Sequence, residues 1–134
     1  MTQPATRQPG WQVRLDELVR NLSCRQYEWG AFDCCTLVGD VVLAITGVDP
    51  IADVRGKYST EQGAYRILAR LGGMEAAWAA RLGPPIALGF AQAGDVGITG
   101  DAVVFYGGSC WLGASDMGLT PVAPPRVAWR CCHV

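Results

Sequence analysis

The sequence predicts an α+β domain, with N-terminal helices packed on a C-terminal antiparallel sheet. Apolar residues recur at helical spacing as far as about Leu82. From about residue 86 they fall instead into short β-prone runs. Gly- and Pro-bearing turns separate those runs, and a block of helices followed by a strand meander is the α+β pattern. The chain has 134 residues, enough for one core. Residues 1–10 read as a flexible N-terminus and 11–134 as a single domain.

Trp11, Leu15, Leu18, Val19 and Leu22 alternate with Arg14, Asp16, Glu17 and Arg20 and predict an amphipathic helix over 11–22. A loop with Tyr27, Trp29, Gly30 and Phe32 follows. Asp33 has the character of an N-cap for a second helix. Leu37, Val38, Val41, Val42 and Ile45 give that helix a wide apolar face, as a central helix requires, and Gly47 and Pro50 end it. Residues 51–58 form a connector closing on Arg55-Gly56-Lys57-Tyr58. Ser59 and Gln62 have capping-box spacing for a third helix carrying Tyr65, Ile67, Leu68 and Leu71 and closed by Gly72-Gly73. Met74 to Leu82 predicts a fourth helix, stopped by Gly83-Pro84-Pro85. The strand candidates are Val96 to Thr99, Ala102 to Tyr106, Cys110 to Leu112, Leu119 to Val122 and Val127 to Cys132.

Composition narrows the function classes. Hydrophobic residues are 50% and charged residues 17%, which excludes a disordered solvating chain. The net charge of −1, with ten Arg and one Lys (Lys57), argues against a nucleic-acid surface. Met1 to Gly10 lacks the apolar core of a signal peptide, and no apolar run reaches membrane-spanning length. The expectation is a chain made in a reducing cytoplasm with its thiols free. A mean hydropathy of +0.17 fits either a Gly/Ala-rich core or apolar surface covered by a partner.

Six Cys stand against one His. Cys34 opens the second helix, where N–H groups and the helix dipole favour a thiolate. That position suits an activated nucleophile, and it suits packing equally. Cys131-Cys132-His133 invites a metal, with Cys24, Cys34 or Cys110 as further ligands. No C-x-x-C pair supports it, so neither metal nor cofactor is expected. Gly72-Gly73 and Gly107-Gly108 lack the strand–loop–helix setting of a phosphate cradle and read as turns. Trp11, Trp29, Trp78, Trp111 and Trp129 fit a glycan groove or core anchoring. Arg55 with Tyr58 fits a partner contact or a local brace.

Tyr27, then Trp29-Gly30, then Asp33-Cys34 opening an apolar helix, with a meander introduced by Gly94-Asp95-Val96, resembles the NlpC-type peptidoglycan cysteine peptidases. The ordered series adds Thr46-Gly47-Val48-Asp49-Pro50, Arg55-Gly56-Lys57-Tyr58, Gly118-Leu119 and Ala128-Trp129-Arg130. It is similar, more closely, to a phage tail-associated family of NlpC-like proteins of unknown function, over about Trp11 to Arg130. The resemblance implies a papain-like NlpC-type domain with Cys34 at the nucleophile position. It also places Ala102 where active relatives carry their His, and the third polar position near Gly113. Cys35 and Thr36 replace the Ser and Gly that usually follow the nucleophile. His133 is the only His of the chain, and Asp101 is a poor base for a thiol and reads as a turn residue.

The resemblance therefore implies a structural or assembly component of a bacteriophage tail, or of a phage-like particle. It would sit at the tail tip on a degenerate peptidase fold. Its partners would be other tail-tip and hub proteins and, beyond them, peptidoglycan, with no nucleic acid and no membrane insertion. The expected location is the virion tail, after synthesis in the host cytoplasm. The alternative is an active cell-wall cysteine peptidase or amidase with Cys34 as nucleophile and His133 or a partner chain as base. A third expectation is a metal- or cluster-stabilised piece of a tail hub.

Overall fold

The computed structural model describes residues 5–132. Four helices precede five strands: α1 Trp11–Leu22, α2 Cys34–Thr46, α3 Glu61–Arg70, α4 Met74–Leu82, then β1 Val96–Thr99, β2 Ala102–Tyr106, β3 Trp111–Ser115, β4 Gly118–Val122 and β5 Val127–Trp129. The protein is an α+β domain as its sequence predicts. All strand pairs are antiparallel, in the order β4-β3-β2-β1-β5. The first four strands form a meander, and the chain then returns to lay β5 along the free edge of β1.

α2 forms because its start is capped on both sides. The Thr36 N–H donates to the Asp33 carboxylate (2.9 Å) and the Asp33 N–H donates to the Thr36 hydroxyl (2.8 Å). It ends at Gly47, whose left-handed φ of 77° suits a residue without Cβ. Val38, Val41 and Ile45 are fully buried between α1 and the sheet face carrying Val103 and Phe105. Burial of each such side chain stabilises the fold by about 1.5–3 kcal/mol. α1 contributes Leu15 and Leu22 to the same core and leaves its charged side in water. The opposite sheet face holds a smaller cluster of Val104, Trp111 and Ala128, covered by Ile86 and Ala91. Ile86 is pinned there by its N–H to the Ala128 carbonyl (2.8 Å).

Several boundaries differ from the sequence expectation, among them the starts of β3 at Trp111 rather than Cys110 and of β4 at Gly118 rather than Leu119. The N-cap of α3 is Thr60, not Ser59, and its hydroxyl accepts from the Gly63 N–H (3.0 Å). β3 runs to Ser115 because the Ser115 and Thr120 hydroxyls bond across to β4 (2.6 Å). β5 stops at Trp129 because the Cys131 N–H turns away to the buried Asp95 carboxylate (3.1 Å).

Ahead of α1, the Gln8 N–H donates to the Ile45 carbonyl at the end of α2 (2.9 Å). Arg14 adds a bond to the Ala44 carbonyl (2.7 Å). No helix among the described residues is long and apolar enough to cross a membrane.

Candidate functional site

The loop before α2 is closed on itself. Glu28 and Phe32 exchange backbone hydrogen bonds of 2.8 and 2.7 Å, and the buried Phe32 ring anchors the turn. Gly30, at φ 86°, sits where a Cβ would run into the Tyr58 carbonyl, so the Trp29-Gly30 pair is a close-approach signature. The Gly30 N–H donates to Asp33 (2.8 Å), and so does the Tyr58 hydroxyl (2.7 Å). The Asp33 carboxylate, 1% exposed, therefore serves three donors, counting Thr36. It caps α2, closes the loop and ties down the 51–58 connector together.

This arrangement presents Cys34, half-buried, to a cavity of about 210 Å³. Tyr27, Trp29 and Tyr65 form one wall, with the Tyr27 and Trp29 rings edge to face at 5.1 Å and Trp29 6.4 Å from Tyr65. Ala102 and Ala114 also line the cavity, and so does Asp101 from the β1–β2 turn. The Cys34 thiol is held below the ordinary value. The Cys35 thiol donating to its sulfur is the main cause, and the Val103 N–H adds to it against the penalty of burial. Cys35 is correspondingly raised, by that same bond and by burial, and its sulfur lies 3.8 Å from the Met74 thioether. Burial and the nearby Cys34 raise the Tyr27 phenol, which stays a neutral donor. Burial and the Asp33 bond do the same for Tyr58.

The fold thus brings Cys34 and Ala102 to one cavity. The third position is expected near Gly113. Gly113 faces the far side of the sheet, against Val104 and Val122, and Ala114 is the β3 residue that reaches the cavity. Among the described residues no His lines the cavity. His133 lies outside the described residues.

Cys24 and Cys110 are exposed, and Cys131 and Cys132 are buried. Among the described residues no three His, Cys, Asp or Glu side chains converge as a metal centre would need. Only Trp29 of the five Trp lines the cavity, while Trp78 and Trp129 are buried in the core. Arg55 is a local brace, bridging Asp40 of α2 (2.9 Å) and Asp49 (2.7 Å).

Sequence reasoning missed the Tyr58–Asp33 bond. Twenty-five residues separate the partners, and no spacing rule links a connector Tyr to a helix cap.

Fold and site define a small α+β domain with a cysteine at the start of its central helix, facing an aromatic-walled cavity. The matching family model is a domain of unknown function, DUF6950, over residues 6–131, and the chain belongs to that family. No curated protein and no solved structure matches the chain.

Proposed function

We propose that this domain is a structural or assembly component of a bacteriophage or phage-like tail, placed at the tail tip. In this reading it is built on a papain-like, NlpC-type fold that has lost its catalytic base. The carrying observation is that no His among the described residues lines the Cys34 cavity, and that Ala102 stands at the position where the resemblance expects one. Attack of a thiol on an amide needs a group that takes the thiol proton and returns it to the leaving amine, within about 3 Å. Methyl groups do neither. The tail placement rests on the ordered motifs from Trp29-Gly30 to Ala128-Trp129-Arg130 and their resemblance to phage tail-associated NlpC-like proteins. Other tail-tip and hub proteins are then its partners, and peptidoglycan is a further contact.

One observation favours a second reading, an active cell-wall cysteine peptidase or amidase. Cys34 keeps a lowered thiol with the Val103 N–H aimed at it, beside space for a peptide. The base would then come from His133 or a neighbouring subunit.

The deciding experiment replaces the gene in its phage or prophage with a Cys34→Ala version and with a deletion. The expected outcome is tails of normal length and infectivity from Cys34→Ala, and tails without a tip from the deletion. Intact, infectious particles from the deletion would overturn the structural reading. Release of peptidoglycan fragments by the wild-type protein, abolished in Cys34→Ala, would establish the second reading instead.

A further inference from the structure

A second pair of adjacent thiols lies at the other end of α2, about 16 Å along the helix from Cys34 at 1.5 Å per residue. The Cys131 and Cys132 sulfurs are 3.6 Å apart and both residues are buried. The N-terminal segment that bonds to Ile45 brings Arg7 alongside them. The Arg7 guanidinium stacks on the Trp11 ring at 4.3 Å. Both of its terminal nitrogens are shielded from water and have no hydrogen-bond partner among the described residues. The nearest buried carboxylate, Asp95, is already engaged by Arg130 (2.6 Å), the Gln92 N–H (2.8 Å) and the Cys131 N–H (3.1 Å). A guanidinium buried without an anion is costly, and a thiolate at this pair supplies that anion.

We infer that Cys131 and Cys132 form a reversible redox modification site, oxidised by a peroxide to a vicinal disulfide, with Arg7 positioning the attacking thiolate. The two sulfurs divide the roles. Cys132 is lowered to about 7 by the bond from the Cys131 thiol and by the Arg7 charge, against burial. Cys131 is raised by that same bond and by burial, and stays protonated. In the first step the Cys132 thiolate attacks one peroxide oxygen. The O–O bond breaks, hydroxide leaves and takes up the proton that Cys132 released to solvent on ionising, giving water, and Cys132 becomes a sulfenic acid. In the second step the Cys131 sulfur attacks the sulfenic sulfur. The S–S bond forms, the S–O bond breaks, and the departing hydroxide carries away the Cys131 proton as water. Two thiols lose two electrons, and the peroxide gains them and ends as two waters.

The site can be tested on the whole, folded chain. The reduced protein is exposed to hydrogen peroxide near pH 7, alkylated in denaturant and cut with trypsin. Cleavage after Arg130 releases Cys131 to Val134, which carries these two cysteines and no other. That peptide should appear unalkylated and two hydrogens light, and dithiothreitol should restore both alkylation sites. Arg7→Gln tests the positioning role. The Cys131 bond remains in this variant, so the Cys132 thiol rises at most to the free value of about 8.5, where its thiolate fraction near pH 7 is about 15-fold lower. Greater intrinsic nucleophilicity regains about fivefold of that limit, so oxidation should slow by up to about threefold, with its pH midpoint moved upward. Arg7→Lys should restore both rate and profile. A doubly alkylated Cys131 to Val134 peptide under conditions that oxidise the exposed Cys24 and Cys110 would overturn the site. So would a disulfide from either residue to another cysteine. An Arg7→Gln rate and pH profile equal to wild type would remove Arg7 from it.

Discussion

Replacing Asp33 by Ala removes one acceptor from three donors at once. The helix cap to Thr36 is lost, which costs about 1 kcal/mol. The Tyr58 hydroxyl and the Gly30 N–H are left part-buried without an acceptor. Each such orphan costs about 1–2 kcal/mol, the lower part of the range for buried groups. The sum, about 3–5 kcal/mol, is a large share of a domain stability of about 5–15 kcal/mol. With a urea slope of about 1–3 kcal/mol per molar, the unfolding midpoint should fall by about 2 M. Tyr58→Phe removes one donor and leaves Asp33 two others, so it should cost only about 1 kcal/mol. In the double mutant the orphaned hydroxyl is absent. Its loss should therefore be no greater than that of Asp33→Ala alone, a coupling of about 1 kcal/mol. Urea titrations followed by circular dichroism measure all three. An Asp33→Ala protein within about 1 kcal/mol of the parent would refute the reasoning. So would strict additivity, because the carboxylate would then not be the shared acceptor.

The other expectations concern the scaffold around the site. A Cβ at Gly118, where φ is 96°, would run into the Ser23 carbonyl after α1, so Gly118→Ala should cost at least about 3 kcal/mol and lower Tm by about 10 °C or more. A calorimetric Tm within a few degrees of wild type would show that the α1–β4 junction yields easily. Burial alone would raise the Asp49 carboxyl, but the Arg55 guanidinium and the Ile51 N–H outweigh it and hold it below the usual range. Its stabilisation is therefore complete above the unfolded value of about 3.9 and is lost as pH falls through the lower folded value. Asp49→Asn should flatten that part of the stability–pH curve. An unchanged acid limb in urea titrations from about pH 5 downward would count against the brace.

Local periodicity is enough to locate α1 and α4, whose apolar stripes and flanking Gly residues are contiguous in the chain. The start of α2 is legible for the same reason, since Asp33 and Thr36 are three residues apart. Features set by distant partners are not legible. β5 looks as though it should run through Cys132, because Arg130-Cys131-Cys132 continues the β-prone run. The Asp95 carboxylate, 36 residues upstream, captures the Cys131 N–H and ends the ladder. Ser59 and Thr60 can each cap α3, and only the observed bond to Gly63 chooses between them. At the candidate site, the sequence singles out Cys34 and Ala102, and both line one cavity. It puts the β3 contact only near Gly113, and the alternation of side chains along the strand makes the neighbouring Ala114 the one that lines the cavity. Arg7 escapes notice because a lone Arg in an N-terminal segment has no pattern; its role depends on where the segment packs.

The motifs behind the resemblance pair off in space. Asp33, beside Cys34, takes the hydroxyl of Tyr58 from Arg55-Gly56-Lys57-Tyr58. Asp49, from the turn after α2, holds Arg55 of that same motif. Asp95 of Ala93-Gly94-Asp95-Val96 holds Arg130 of Ala128-Trp129-Arg130, while Val96 and Trp129 are register partners in the sheet. Gly118 admits the Ser23 carbonyl, and the Leu119 N–H donates to it (3.4 Å). Each motif is thus part of a bracket, and all but the Asp49–Arg55 pair join segments far apart in the chain. The brackets hold the loop, the connector, the sheet edge and the end of α1 in place, and their polar groups are consumed in doing so. Of these groups only Asp33 and Tyr58 border the Cys34 cavity, and they are bonded to each other. Here the paired groups are spent on the scaffold. Cys34 therefore opens onto a cavity held within a firmly braced frame.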